Sequence, residues 1–327
     1  MKTLNGIHHI TAMTSSAENI YKFFTDILGL RLVKKTVNQD DISTYHLFFA
    51  DDEGNPGTDM TFFDFQGVQK GRKGSDEIGR IGLRVKSNQA INYWIKRFNH
   101  YDIKFEEKSF FNRKMLFFND FDEQEYAIVS DEGIDGVEAG LAWKKGPIPN
   151  ELAIIGLGPV FIRVKDKDRM NHVLTEYLKF ALIDEGKQFS LYEVGPGGNG
   201  GSIILDYQPD LKAASLGYGS VHHMAFRIND ISHLEQWIKK LNTIGARHSG
   251  LVDRFYFKSL YTRLYPNILF EFATEGPGFM EDDESYETLG QTLALPPKFK
   301  GDRDQIEKQV RHINTIPKKY EKKYFNE

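Results

Sequence analysis

The sequence of 327 residues contains no cysteine, and this absence excludes several classes of site. Disulfide bridges, cysteine-based zinc sites and thiol nucleophiles all require a sulfur that the chain does not have. An excess of basic residues is also missing, because 42 Lys and Arg stand against 46 Asp and Glu, for a net charge of −4. Nucleic-acid-binding proteins usually carry a basic patch, so we expect no nucleic-acid partner.

Long apolar runs are missing as well. No stretch approaches the roughly 20 apolar residues that a membrane-spanning helix needs. Residues 1–6 lack the apolar segment of a signal peptide. We therefore expect a cytoplasmic protein without a membrane partner. With 40% hydrophobic residues, the chain can bury the cores of about two domains of about 150 residues each.

Four segments of the chain share one pattern: a short strand, an amphipathic helix and further strands. We call these segments modules one to four, and their first strands begin at residues 7, 80, 159 and 221. Apolar residues of each helix recur at the i, i+3, i+4 and i+7 spacing that packs one face on a sheet. Each module thus follows the order β-α-β-β-β. The repeat predicts an α+β fold of four βαβββ modules arranged as two domains of paired modules.

The boundary between the two domains is expected where the repeat is interrupted. The stretch 145–150 lies between modules two and three and contains Gly and Pro. We predict an N-terminal domain at 1–145, a C-terminal domain at 151–275 and a C-terminal tail at 276–327. The tail lacks the repeat and has one expected helix near 304–314. Whether it wraps the body or covers a site entrance stays open.

Modules one and four both open on a pair of histidines, His8-His9 and His222-His223. Adjacent residues on a strand point to opposite faces, so only one histidine of each pair is expected to reach a shared interior. The apolar residues that follow on each strand should pack under the helices. This alternation places His9 and His223 on the face away from the helices.

A lone carboxylate, Glu271, lies between Phe270 and Phe272 on the last strand of module four. Burying a charged carboxylate there is costly unless a metal or another cation compensates. Two histidines and one carboxylate with open positions are the ligand set of a non-haem Fe(II) oxygenase site. We therefore predict that His9, His223 and Glu271 bind one metal ion.

Modules two and three cannot offer the same ligands. Arg80 and Pro159 occupy the positions that correspond to His9 and His223. The sequence thus predicts one metal site from modules one and four, with modules two and three as its structural counterpart. For this site to form, the first strands of modules one and four must come together.

The chain resembles the vicinal oxygen chelate superfamily of glyoxalases, bleomycin-resistance proteins and extradiol dioxygenases. Within it, the chain is similar over its whole length to dioxygenases that open hydroquinone and chlorohydroquinone rings. The resemblance is carried by residues 7–11, 26–33, 45–50, 56–58, 221–227, 253–261 and 269–279.

The resemblance implies a non-haem Fe(II) ring-cleaving dioxygenase of the extradiol type. Its substrates would be O₂ and a small aromatic diol, either a hydroquinone or a catechol. This activity is associated with aromatic hydrocarbon catabolism and quinone detoxification, and it is compatible with a homo-oligomer. The resemblance implies the three iron ligands given above. It further implies three catalytic and two substrate-binding residues: His222, Tyr261 and Arg254, and Thr11 and His8.

The residues themselves leave two points open. His8 and His222 could take part in chemistry, or they could only donate hydrogen bonds that orient their neighbours. Arg254 and Tyr261 are separated by an odd number of positions, so one continuous strand would point them to opposite faces. Both can line one pocket only if a turn or bulge intervenes, which we expect near 258–259.

Two other functions stay open. A glyoxalase-type lyase or isomerase on the same fold would hold Zn²⁺ or Ni²⁺ with four protein ligands. The fourth would come from Asp59 or Asp64 in the last strand of module one. A module that sequesters an aromatic drug would need no metal, so the three ligands argue against it. An open fourth position favours the dioxygenase.

Overall fold

The computed structural model describes residues 2–282 and 284–325, and its strands form two eight-stranded sheets. Every module has one helix after its first strand and three strands after the helix. The predicted α+β fold of four βαβββ modules is therefore confirmed. Within residues 2–282 and 284–325, every helix is too short or too polar to cross a membrane.

The bounds of the elements follow the order of the modules. Module one comprises β1 (Ile7–Met13), α1 (Ala17–Lys22), β2 (Arg31–Val37), β3 (Tyr45–Ala50) and β4 (Asp59–Asp64). Module two comprises β5 (Glu77–Val85), α2 (Asn88–His100), β6 (Phe105–Phe110), β7 (Arg113–Asn119) and β8 (Glu125–Ser130). Module three comprises β9 (Ile154–Val164), α3 (Lys167–His172), β10 (Ala181–Glu185), β11 (Phe189–Glu193) and β12 (Ser202–Tyr207). Module four comprises β13 (Ser220–Ile228), α4 (Ile231–Thr243), β14 (Val252–Asp253), β15 (Phe257–Tyr265) and β16 (Ile268–Pro277).

All four module helices begin at a side chain that caps the first free backbone N–H groups. The capping residues are Ser16, Ser87, Asp166 and Asp230. An oxygen at this position accepts a hydrogen bond that the helix itself cannot provide. The buried face of each helix then packs on its sheet, as in α4, where Trp237 stacks on Phe272 with ring centroids 4.5 Å apart.

The sheet order shows which modules meet. The first sheet runs β14-β15-β16-β13-β1-β4-β3-β2, and the second runs β10-β11-β12-β9-β5-β8-β7-β6. The first strands of modules one and four, β1 and β13, are antiparallel neighbours at the centre of the first sheet. The prediction that these two strands come together is confirmed. Modules two and three pair in the same way through β5 and β9.

Each sheet contains one module from each half of the chain, so the two sheets do not by themselves define the two predicted domains. The division into domains at 1–145 and 151–275 and a tail at 276–327 stays a prediction. Positions 1, 283, 326 and 327 of these ranges lie outside the described residues.

The pairing of β1 with β13 contains two bulges. Ile7 pairs with Phe226 and His9 with Ala225, so His8 is an extra residue in β1. Thr11 then pairs with His223 and Ala12 with Val221, so His222 is an extra residue in β13. A bulge inserts one residue and re-aims its side chain. In both histidine pairs, therefore, the first histidine is the inserted residue.

The tail wraps the body, which answers one question that the sequence left open. Its helix α5 (Arg303–Gln309) begins one residue before the predicted start and ends five residues before the predicted end. Further along, Tyr320 Oη donates a hydrogen bond of 2.6 Å to Asp26 in module one.

A buried cluster of charges fastens the start of the tail to β2. Lys34 has a side chain with 0% exposure, and its Nζ lies 2.8 Å from Asp282 and 2.6 Å from Glu284. Tyr256 Oη donates to the same Asp282 carboxylate at 2.9 Å. Because Tyr256 also lines a pocket of about 360 Å³ in the first sheet, this cluster couples the tail to the pocket wall.

We expect Lys34→Met to lower the free energy of unfolding by about 3 kcal/mol, because two buried carboxylates lose their cation. Lys22→Met, which removes an exposed pair with Glu18, is the control and should cost less than about 0.5 kcal/mol. Urea unfolding of the full chain measures both values. Equal effects of the two substitutions would mean that the cluster does not stabilise the fold.

Candidate metal centre

Three side chains from three strands converge in the first sheet. His9 on β1, His223 on β13 and Glu271 on β16 place one ligand atom each within 4.8 Å of the others. The Nε2 atoms of the two histidines are 3.3 Å apart. Glu271 Oε2 lies 3.2 Å from His9 Nε2 and 3.0 Å from His223 Nε2. The structure thus brings together the three residues that the sequence predicts as metal ligands.

The separations of these atoms fit a single metal ion. Bonds of about 2.1 Å at right angles place neighbouring ligand atoms about 3.0 Å apart. Glu271 Oε2 is buried and accepts no hydrogen bond within the described residues, whereas Oε1 accepts one of 2.5 Å from Ser259 Oγ. One oxygen is therefore anchored, and the other faces the two imidazoles without a hydrogen-bonded partner.

The tautomer of His9 also suits a metal ligand. His8 Nε2 lies 3.1 Å from the Thr274 carbonyl oxygen, which can only accept, so this nitrogen carries hydrogen. Burial lowers the pKa of His8 to about 3, which keeps its ring neutral and its Nδ1 bare. His8 Nδ1 is 2.9 Å from His9 Nδ1 and must accept from it. A neutral His9 then has a bare Nε2 that faces Glu271 and His223.

The first histidine of each pair thus forms a hydrogen bond to the second. We call such a residue, which contacts a metal ligand but is not a ligand itself, an outer partner. His222 Nδ1 lies 2.8 Å from His223 Nδ1, as His8 does from His9. Such partners fix the ring orientation of metal-binding histidines. Sequence alternation sends only one histidine of each pair inward, and this expectation is wrong for His222, whose ring lines the same pocket as His9 and His223. The bulge at His222 is the physical reason.

Electrostatics favour a charged carboxylate at this site. Burial alone would raise the pKa of Glu271, but interactions with His9 and His223 hold it well below its ordinary value. Burial lowers the pKa of His223, against the opposing effect of Glu271. A charged Glu271 and a deprotonated His223 suit metal binding, which requires unprotonated ligand atoms.

Two of the three ligands, His9 and His223, line a pocket of about 360 Å³. Its walls include the aromatic residues Phe48, Phe63, Phe65, Tyr256 and Phe257 together with polar residues such as Asn38 and Asp40. Aromatic walls combined with placed polar groups suit a small aromatic molecule.

Arg254 and Tyr261 both line this pocket, and Arg254 Nε lies 3.2 Å from Tyr261 Oη. A turn between β14 and β15 makes this possible: it contains Phe255 at φ 69°, and β15 has an irregular register with β16 between Phe257 and Ser259. The predicted interruption is confirmed. Burial, followed by the charge of Glu271, raises the pKa of Tyr261, so its hydroxyl stays protonated.

The mouth of the pocket carries one ion pair. The Arg254 guanidinium lies 2.8 Å from the carboxylate of Asp40, whose side chain is 72% exposed. Gln39 Nε2 also donates a hydrogen bond of 2.7 Å to the Arg254 carbonyl oxygen. The segment between β2 and β3 therefore positions Arg254 from outside.

Thr11 and His8, predicted to bind substrate, lie beside and behind the ligands. Thr11 Oγ1 is 2.9 Å from His223 Nε2. His8 contacts His9 and the edge of Phe257. Their role towards a substrate stays a prediction.

Neither candidate for a fourth ligand joins the group. Within residues 2–282 and 284–325, the cluster consists of His9, His223 and Glu271. Asp64 forms an ion pair with Arg311 of the tail. Asp59 is buried, and desolvation followed by the charge of Asp51 raises its pKa well above the ordinary value, which favours the neutral acid.

The sheet register identifies the residue that stands in the fourth position. Glu271 is paired with Ala225, two residues after His223. In module one, the residue paired with Thr11, two residues after His9, is Thr61. A threonine therefore occupies the position that would complete a four-ligand site.

Sequence reasoning missed His46 and Ser259. His46 lines the pocket between Phe48 and Phe63, with ring centroids 4.0 and 4.4 Å away. Burial, and then the charges of His9 and His223, lower the pKa of His46 well below its ordinary value. The one available signal was its place in the segment 45–50, which carries part of the family resemblance.

Comparisons with known proteins agree with this geometry. The model of the Glyoxalase/Bleomycin resistance protein/Dioxygenase superfamily matches residues 6–127. A protein of Bacillus subtilis (strain 168) named "Putative ring-cleaving dioxygenase MhqA" is 41% identical over 95% of this chain and 99% of its own length. The chain belongs to this superfamily.

Two further similarities extend over nearly the whole chain of this superfamily member. A crystal structure described as a "putative dioxygenase" from Bacillus subtilis subsp. subtilis str. 168 superposes with a TM-score of 0.88 at 32% identity and covers 97% of this chain and 99% of its own. The "Chlorohydroquinone/hydroquinone 1,2-dioxygenase" of Sphingobium indicum is 28% identical over 93% of this chain and 95% of its own length.

We expect His9→Ala, His223→Ala and Glu271→Ala each to weaken Fe(II) binding by more than about 100-fold, since losing a ligand costs more than losing an outer partner. Anaerobic metal titration of the full chain measures the affinity. His312→Ala, at an exposed histidine of the tail, is the control and should bind iron normally. Full iron affinity in Glu271→Ala would remove this residue from the ligand set.

Proposed function

We propose that this protein is an Fe(II)-dependent ring-cleaving dioxygenase that acts on a hydroquinone- or catechol-type diol. The observation that carries the proposal is the convergence of His9 Nε2, His223 Nε2 and Glu271 Oε2 beside a pocket with aromatic walls. Two histidines and one carboxylate leave coordination positions for substrate and O₂. The names of the full-length relatives support the same class of reaction.

The proposed reaction adds both atoms of one O₂ to the diol. One ring C–C bond breaks beside a hydroxyl-bearing carbon, as in extradiol cleavage, and the product is an opened, oxidised acid. Iron held by the three ligands would supply Lewis acidity towards a substrate hydroxyl and a path for electrons to O₂. The diol itself is the reductant, so no further electron donor is needed.

The residues around the ligands have separate roles in this proposal. The aromatic walls hold the ring and exclude water. His222, which lines the pocket, donates a hydrogen bond to the substrate from Nε2, because its Nδ1 accepts from the metal-binding His223. The protonated Tyr261 donates a hydrogen bond, and the charge of Arg254 stabilises negative charge that develops on the substrate oxygen. Thr11 and His8 orient the ligands and the substrate beside them.

A glyoxalase-type site would need a fourth protein ligand. The position that corresponds to Glu271 in module one is occupied by Thr61. The Thr61 hydroxyl forms hydrogen bonds with Thr11 and His46. A neutral hydroxyl is a much weaker metal ligand than a carboxylate. The register therefore supports the dioxygenase over the lyase or isomerase.

Anaerobic reconstitution with Fe(II), followed by O₂ uptake on a panel of hydroquinones and catechols, tests the proposal. We expect one O₂ consumed per diol and loss of the aromatic absorption band. The same protein loaded with Zn²⁺ should consume no O₂. Absence of O₂ uptake by the iron form with every diol of the panel would contradict the proposed function.

We expect His222→Ala to keep its iron and to lower kcat by about 100-fold, because the substrate loses a hydrogen-bond donor. Steady-state kinetics and iron content on the same sample measure both. His222→Gln keeps an N–H donor and should retain more activity than the alanine variant. Unchanged turnover in both variants would reduce His222 to an orienting partner of His223.

A further inference from the structure

Modules one and four repeat one arrangement of side chains around the candidate metal centre. Ser259 pairs with Ala273, two residues beyond Glu271, and donates to the Glu271 carboxylate. In module one, His46 pairs with Phe63, two residues beyond Thr61. His46 and Thr61 therefore occupy the positions of Ser259 and Glu271.

A chain of hydrogen bonds runs from His46 to His223 at the candidate metal centre. His46 Nε2 lies 3.0 Å from Thr61 Oγ1, which lies 2.7 Å from Thr11 Oγ1. Thr11 Oγ1 in turn lies 2.9 Å from His223 Nε2. Thr11 and Thr61 are fully buried, so water does not compete for these bonds.

The direction of this chain depends on His46. If His46 Nε2 carries hydrogen, it donates to Thr61, and the Thr61 hydroxyl then donates to Thr11. The Thr11 hydroxyl is left with its own hydrogen to donate. His223 Nε2 cannot accept that hydrogen once its lone pair binds a metal, so the hydrogen is directed at whatever occupies the open positions beside the ligands.

We propose that His46 and Thr61 form a relay that makes Thr11 a hydrogen-bond donor towards the open side of the metal centre. His46 is then a positioning residue, because it acts through Thr61 and Thr11. This inference rests on the proposed function for its catalytic effect, since a donor there stabilises negative charge on substrate or O₂-derived oxygen. In module one, Thr61 at this position fixes the direction of a hydrogen bond. In module four, Glu271 at the corresponding position binds the metal.

Two substitutions at His46 separate the relay from packing. His46→Phe keeps an aromatic ring between Phe48 and Phe63 but removes the nitrogen, and His46→Gln keeps a donor but removes the ring. With a relay, we expect His46→Phe to lower kcat about 10-fold, the size typical of outer partners, and His46→Gln to stay within about threefold of the parent. Iron content and melting temperature of both variants should match the parent. Loss of activity in the Gln variant with retention in the Phe variant would overturn the relay and assign His46 to packing.

The same relay predicts non-additivity. Thr61→Val should lower kcat as much as His46→Phe. The double variant should be no slower than either single variant, because each of these variants breaks the same chain of hydrogen bonds. Independent losses that multiply in the double variant would contradict it. The conservative Thr61→Ser keeps a hydroxyl and should restore the rate of the parent.

The tautomer of His46 can be read without turnover. In the Zn²⁺-loaded protein, ¹⁵N chemical shifts of the histidine rings distinguish a protonated Nε2 from a protonated Nδ1, and the His46→Gln variant assigns the signal. We expect hydrogen on Nε2; hydrogen on Nδ1 would reverse the chain and overturn the inference. If the parent consumes no O₂ with any diol while Nε2 is protonated, the proposed function fails and the relay stands.

Discussion

The antiparallel pairing of β1 with β13 is the constraint on which the whole site depends. It joins strands that lie 214 positions apart, so that His9 and His223 meet across one seam. The strand β16 is parallel to β13 and adds Glu271 from the next position. The two bulges in the same seam turn His8 and His222 into partners of the ligands. Loss of this pairing would remove every element of the site at once.

Charge compensation differs between the two sheets. Glu271 is buried with 0% exposure, and the two imidazoles and a cation between them would offset its charge. In the second sheet, Arg80 stands at the position of a ligand histidine, with its guanidinium 3.8 Å from the ring of Phe117. Arg80 and Arg163 neutralise Glu125 there. The same architecture thus supports either a metal or a network of ion pairs.

The three ligands could be predicted from the sequence, but the surroundings could not. The two-residue period of a strand selects His9, His223 and Glu271 directly. It cannot reveal a bulge, because an extra residue is defined only against the register of the partner strand. For the same reason the period misplaced His222. His46 was overlooked because its meaning lies in its correspondence with a serine of module four, which is visible only when both modules have been aligned by their hydrogen bonds.

The most direct test is the position of iron in a crystal of the Fe(II)-loaded protein, located by anomalous scattering. We expect one strong peak per chain, within bonding distance of His9 Nε2, His223 Nε2 and Glu271 Oε2. A peak elsewhere, or one that any of the three side chains does not reach, would contradict it.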